Sequence, residues 1–245
     1  MLRDELPASE PDASGLDCVI LAGGLGTRLQ GVVSDRPKSM ALVGGRPFLE
    51  LLILALKQQG LSRFVFATGH RGEQIEAHFG RGDWAGTRIT CSHESEPLGT
   101  GGALRLALGH LKASRVLVLN GDSYCRLEVA ALLRTHVRAG AEITLQLARV
   151  DDRGRYGTVL MDAGGVVTSF GEKSQKGPGW VSAGVYVFQR AVLDALPPQV
   201  PMSIETDLIP RYVGRGLHAV GIPGPFIDIG TPDAYRTAST VVARV

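Results

Sequence analysis

The chain has 245 residues, 44% of them hydrophobic, and its 26 basic and 24 acidic side chains leave a formal net charge of +2. That length and apolar content suit one large domain, or one domain with a small lobe, and argue against general disorder. The near balance of charge argues against a broad nucleic-acid or membrane surface and leaves room for a local cationic pocket.

Residues 1–15 are rich in proline, alanine, serine and acids and lack an apolar run, so they are expected to form a flexible tail, not a signal peptide. The folded unit is expected over 16–245. No stretch is long and apolar enough for a membrane span. Cys18, Cys91 and Cys125 have unrelated spacings, which predicts neither a disulfide framework nor a zinc site and makes the cytoplasm the expected location.

The first informative stretch runs from Val19 to Leu29. An apolar run suited to a buried strand passes into a turn with glycines at 23, 24 and 26, followed by Arg28 and, after a gap, Arg36-Pro37-Lys38. Glycines let backbone N–H groups approach a phosphate, Arg28 can fork onto its oxygens, and Lys38 supplies a point charge. The pattern is not a nucleotide P-loop, and a strand-to-helix turn without ligand fits the glycines equally well.

Next, 47–59 reads as a helix stopped by Gly60, 63–67 as a strand, 72–79 as a helix and 88–92 as a strand. The alternation predicts a parallel sheet covered on both faces, with ligands at the carboxyl ends of its strands. Glu94 to Ala103 carries a proline and three glycines ahead of an apolar helical pattern at 103–111, either a rigid turn against something flat or a plain helix start. The run Arg115–Asn120 ends in Gly121-Asp122, which places a carboxylate at a strand tip. Beside phosphates such a group needs a cation, and Mg²⁺, a hard ion taking few carboxylates plus phosphate oxygens, meets that need. A helix is expected at 127–139, a strand at 143–150, and an antiparallel excursion from strands at 158–161, 166–170 and 183–188. Ser203 is placed to cap a helix, and Thr231-Pro232 to start the last one. Trp180 is expected to pack ordinarily, and the six histidines lack metal-ligand spacing.

The string Leu-Ala-Gly-Gly-Leu-Gly-Thr-Arg-Leu with downstream Arg-Pro-Lys resembles the signature of sugar-1-phosphate nucleotidyltransferases. Pro97–Gly102, Asn120-Gly121-Asp122, Glu172-Lys173 and Phe226–Pro232 extend the likeness over about 17–238. Gly-Gly-Arg-Pro-Phe-Leu-Glu, Glu-Pro-Leu-Gly-Thr-Gly-Gly-Ala and Phe-Ile-Asp-Ile-Gly-Thr-Pro are most similar to the D-glycero-D-manno-heptose 1-phosphate guanylyltransferases of bacterial surface-polysaccharide synthesis. Ser39 after Lys38, and Ser182-Ala183 before Gly184, depart from the usual family residues.

The resemblance implies an α/β fold: a Rossmann-like, mostly parallel central sheet flanked by helices, with a small antiparallel sugar-binding excursion. The nucleotide part would span about 16–140, the sugar-phosphate part 141–225, and the metal motif with the terminal helix 226–245. It further implies that a sugar phosphate attacks the α-phosphorus of a nucleoside triphosphate, GTP by preference, and that pyrophosphate leaves. Arg28, Lys38, Asp122 and Asp228 would be catalytic, with Asp122 and Asp228 holding one Mg²⁺. Leu21, Ala22, Gly23, Gly24, Gly26, Thr27, Glu96, Pro97, Gly101 and Gly121 would bind the nucleotide, and Gly157, Glu172, Lys173 and Gly184 the sugar phosphate. Mannose 1-phosphate or another hexose phosphate as acceptor, UTP or CTP as donor, and a non-catalytic nucleotide-sugar-binding subunit are the alternatives. The composition is compatible with a homo-oligomer.

Overall fold

A computed structural model describes residues 13–80, 82–171 and 176–242. Most of the expected tail, together with Glu172 and Lys173, lies outside the described residues. The end of that tail, Ala13–Gly15, is a short 3₁₀ turn: Leu16 N–H donates to Ala13 O (3.1 Å), and Arg63 reaches Gly15 O (3.2 Å).

The expected alternation of strands and helices is present. Strands β1 (Asp17–Leu21), β2 (Leu42–Val43) and β3 (Arg46–Pro47) precede helix α1 (Phe48–Gln58), followed by β4 (Arg63–Thr68), α2 (Gly72–Phe79), β5 (Gly82–Trp84) and β6 (Thr87–His93). Then come α3 (Gly99–Ala107), β7 (Arg115–Asn120), β8 (Ser123–Cys125), α4 (Val129–Arg138) and β9 (Ile143–Val150). The last part holds β10 (Val159–Met161), β11 (Val167–Phe170), β12 (Gly179–Gln189), α5 (Arg190–Asp194), β13 (Leu217–Gly221), β14 (Phe226–Asp228) and α6 (Pro232–Val242).

Eight strands form one sheet in the order β13-β9-β12-β7-β1-β4-β6-β5. The β7-β1-β4-β6 half is parallel, and β12 runs antiparallel between β7 and β9. β10 and β11 pair with each other outside this sheet, as the antiparallel excursion requires. The third strand expected there, 183–188, belongs instead to β12 in the middle of the main sheet. Its sequence explains this: Val185 to Phe188 are all buried, the continuous apolar run of a strand covered on both faces.

Side chains alternate between two cores. Cys18 and Ile20 of β1 with Leu117 and Leu119 of β7 face one, built with α1 and α4, while Val19, Val116 and Val118 face the other, built with α3 and α5. Helix α1 buries Phe48, Leu49, Leu52, Ile53 and Leu56 at helical spacing. Trp180 packs over β13, where a Cβ on Gly221 would lie 2.7 Å from its ring, so its role is ordinary packing.

His136 on α4 is fully buried, with Nδ1 2.9 Å from Thr144 Oγ1. Burial, then the charge of Arg115 and of His218, pushes its pKa down to about 4. The unfolded imidazole titrates near ~6.5. Between those values the unfolded chain binds the extra proton, so stability is present above ~6.5 and is lost as pH falls towards 4, by on the order of 2–3 kcal/mol. Urea titrations at pH 7.5 and 4.5 should show this loss, and His136→Gln should flatten the dependence across that window.

Candidate active site

Three clefts meet at the carboxyl ends of β1 and β7. The first, of about 480 Å³, is lined by Leu21, Gly23, Gly24, Leu25, Gly69, Glu94, Glu96, Pro97, Thr100 and Asn120. Its floor is backbone. A Cβ on Gly23 would lie 2.8 Å from Glu94 Oε1, and one on Gly69 2.6 Å from the same oxygen. The Glu94 carboxylate therefore stands where only glycine admits it, and its Oε2 accepts the Leu98 N–H at 3.0 Å. Burial raises its pKa, against the opposing Leu98 bond and the charge of His93.

Glu96, the expected base-reading carboxylate, is exposed at the mouth of this cleft, and Glu94 is the inward one. The signal for Glu94 lies in strand pairing. Glu94 N–H donates to Thr68 O (2.9 Å), so the pairing of β4 with β6 runs one residue past His93 and holds Glu94 beside Gly69.

The second cleft, of about 780 Å³, is lined by Arg28, Asn120, Asp122, Arg155, Gly157, Gly184, Tyr186, Glu205 and Asp228 among others. Gly184 sits in a bulge of β12 at φ 71°, and a Cβ there would lie 2.7 Å from Asn120 Nδ2, so glycine makes room for the residue that separates the two clefts. The third cleft runs along Gly26, Arg36, Lys38 and His70 on the far side of the glycine loop.

Lys38 and the two aspartates converge between these clefts. Pairing of β14 with β8 sets Asp228 opposite Ser123, and Ile229 N–H donates to Asp122 O at 2.9 Å. Lys38 Nζ lies 2.6 Å from Asp122 Oδ2 and 3.3 Å from Asp228 Oδ1, with its side chain 12% exposed. Gly230 N–H donates to Asp228 Oδ1 at 2.7 Å, and a Cβ on Gly230 would lie 2.7 Å from Lys38 Nζ. One ammonium between two carboxylates leaves an uncompensated negative charge. Such a pair attracts a further cation and has hard oxygen donors to offer it.

The remaining expected residues divide into two groups. Leu21, Gly23, Gly24 and Pro97 line the first cleft, Gly26 the third, and Arg28, Gly157 and Gly184 the second. Ala22, Thr27, Gly101 and Gly121 line none of the three. Ala22 N–H is spent on Ala67 O (2.8 Å), Gly101 N–H on Met202 O (2.8 Å) and Gly121 N–H on Leu21 O (2.9 Å), while Thr27 is exposed in a 3₁₀ turn. Their place is to build the loop and its neighbours. Ser203 caps the turn at Ile204–Leu208, as expected, by accepting from Thr206 N–H. Of the other residues of the second cleft, Tyr186 and Glu205 lie in the strings Ser182–Tyr186 and Ser203–Asp207, which resemble family motifs of the sugar side, whereas Arg155 lies in a charged turn that singles out no site residue.

The model of the nucleotidyl transferase family matches residues 17–244, and thus every cleft residue named above. The chain belongs to the nucleotidyl transferase family. This nucleotidyltransferase is 34% identical to a D-glycero-alpha-D-manno-heptose 1-phosphate guanylyltransferase of Aneurinibacillus thermoaerophilus, over 91% of its own length and 96% of the relative's. It is also 34% identical to a mannose-1-phosphate guanylyltransferase of Mycobacterium tuberculosis, over 94% of its own length and 65% of the relative's. Its fold matches that of HddC from Yersinia pseudotuberculosis complexed with GMP-PN, at a TM-score of 0.82 and 33% identity, over 92% of this chain and 98% of that one. The Rossmann-like, mostly parallel sheet read from the sequence is the fold of this family. Among the described residues no helix is long and apolar enough to cross a membrane.

Proposed function

We propose that this enzyme transfers a guanylyl group from GTP to a sugar 1-phosphate, D-glycero-D-manno-heptose 1-phosphate by preference, releasing pyrophosphate. The observation that carries this reading is the placement of Lys38, Asp122 and Asp228 between a glycine-floored cleft holding a carboxylate and a larger polar cleft. An ionised carboxylate only accepts hydrogen bonds, and Glu94 fits the N1–H and N2–H₂ edge of guanine. The likeness to two heptose 1-phosphate guanylyltransferases, at 34% and 36% identity over 91% and 90% of this chain, supports the heptose acceptor. The product would serve surface-polysaccharide synthesis, in the cytoplasm.

Asp122 and Asp228 fit Mg²⁺. Among the described residues no group of three or more His, Cys, Asp or Glu is placed to hold a metal alone, which suits an ion that completes its shell with phosphate oxygens and water. When bound, Mg²⁺ would offset phosphate charge and polarise the α-phosphoryl group. The chain's own groups do the rest. The glycine loop offers N–H groups to the triphosphate, Lys38 neutralises charge where the two phosphates meet, and Arg28 aligns a phosphate from the acceptor side. The acceptor phosphate is already ionised at neutral pH, so no general base is required.

Arg155 adds a cation on the acceptor side. Its Nη2 donates to Thr231 Oγ1 (3.1 Å) and its guanidinium lies 5.7 Å from the centre of the Tyr156 ring, which aims it along the second cleft. Arg155→Ala is expected to raise KM for the sugar phosphate about tenfold with the GTP KM unchanged, as measured by pyrophosphate release.

The function is tested by assaying pyrophosphate release from each nucleoside triphosphate with a panel of sugar 1-phosphates. GTP with the heptose phosphate should give the highest kcat/KM. Release from no pair would remove the activity, and release with UTP alone would remove the guanylyl assignment.

A further inference from the structure

A strap that contributes to the second cleft lies against the first turn of α3, which lines the first. Residues 200–205 cross the first turn of α3, where Gly101 N–H donates to Met202 O (2.8 Å) and Met202 N–H to Leu98 O (2.8 Å). Gly99, at φ 69°, allows the approach, since a Cβ there would lie 2.5 Å from Met202 O. Thr100, on α3, is the side chain that links the first cleft to this strap. It lines the first, its Oγ1 accepts Ile204 N–H at 2.8 Å, and the hydroxyl's own hydrogen is left to donate to Glu205 Oε2, 3.5 Å away. Glu205 lines the second cleft, and its other oxygen accepts from the fully buried Tyr186 hydroxyl at 2.8 Å. The turn that carries Glu205 is a π-helical one, a geometry frequent at functional sites.

We propose that Thr100 is a positioning residue that couples the two substrate sites, so that a nucleotide seated on the Pro97–Thr100 turn fixes Glu205 to receive hydroxyls of the acceptor. This rests on the reading of the clefts as nucleotide and sugar-phosphate sites. The physical basis is differential ordering: a ligand that restrains the first turn of α3 restrains Met202 through two backbone bonds and Ile204 and Glu205 through the Thr100 hydroxyl, and the acceptor then meets a wall already ordered. Linkage makes the effect reciprocal.

The test uses the full chain with a non-hydrolysable GTP analogue and Mg²⁺. In the parent protein the analogue should slow amide exchange over 202–206 and tighten sugar-phosphate binding by about tenfold, within the usual range for coupled sites. Thr100→Val should bind the analogue alone within about threefold of the parent yet lose the added protection, and should bind the sugar phosphate with the same affinity whether or not the analogue is present. Thr100→Ser should restore both. Glu205→Gln, which leaves the Thr100–Ile204 bond in place, should keep the protection and raise the acceptor KM, so the pathway stays testable if Thr100→Val does not fold. Retained protection in Thr100→Val, or sugar-phosphate binding that the analogue still tightens in that variant, overturns the coupling alone. Failure of the parent to bind the analogue overturns the reading of the clefts, and the coupling with it.

Discussion

Lys38→Ala is expected to lower kcat for pyrophosphate release by ~10²-fold or more, the order seen when one preorganised electrostatic contact is removed. The ammonium is 2.6 Å from one carboxylate and 3.3 Å from the other, on a 3₁₀ turn at Lys38–Met40 that continues into the core through Met40 and Ala41. Removing it takes away the one protein cation within ion-pair distance of both aspartates among the described residues and leaves two like charges facing one another. The fold should survive, because the side chain stands in a cleft while its neighbours Ser39 and Met40 are buried. Asp122→Asn should cost a similar factor, with a separate signature: more Mg²⁺ should be needed for half-maximal rate, whereas Lys38→Ala should leave the Mg²⁺ requirement close to the parent's. Titrating activity against Mg²⁺ in both variants distinguishes a metal ligand from a phosphate-neutralising cation. Full activity of either at saturating substrates would contradict the role assigned to it.

Glu94→Gln is expected to reduce kcat/KM with GTP by about 10²-fold, since a site that accepts two hydrogen bonds from one base edge loses an acceptor and gains a donor facing that edge. Glu96→Gln, at the exposed mouth, should change it by less than about threefold. The contrast matters more than either value. Both residues belong to the same Glu-Ser-Glu string, but Glu94 Oε1 packs on Gly23 and Gly69, whereas Glu96 is solvent-exposed. Assays with GTP and UTP in parallel would show whether the loss is specific to guanine, as the carboxylate requires, or falls on both nucleotides, as simple distortion of the cleft would produce.

Much of this site was legible in the sequence because chemistry and local geometry coincide in short strings. Val19–Gly26 and Val116–Asp122 each join a strand buried on both faces to a polar or glycine turn, and a continuous apolar run of strand length is enough to place the turn at a strand end. The alternation of strands and helices up to β7 followed for the same reason. What stayed hidden depends on pairing between distant segments. Gly101 reads as a nucleotide-side residue, yet its N–H is taken by Met202 O, and nothing in the local pattern of 98–102 announces a strap from a distant part of the chain. The position of β12 inside the main sheet was hidden similarly. A run flanked by glycines fits an excursion, and its insertion between β7 and β9 is decided by burial on both faces. Glu94 is not singled out by its local pattern because what holds its carboxylate, the approach of Gly23 and Gly69, comes from segments distant in the chain.

The nucleotide is expected to lie between the glycine loop and the aspartate pair, with its base on Glu94. A crystal structure with a non-hydrolysable GTP analogue and Mn²⁺ tests it most directly, since Mn²⁺ can be located by its anomalous signal. The account predicts the metal peak between Asp122 and Asp228, phosphates against the N–H groups of 23–26 with Lys38 turned towards them, and the guanine edge within hydrogen-bond reach of the Glu94 carboxylate. A base seated away from Glu94, or a metal bound without either aspartate, would contradict it.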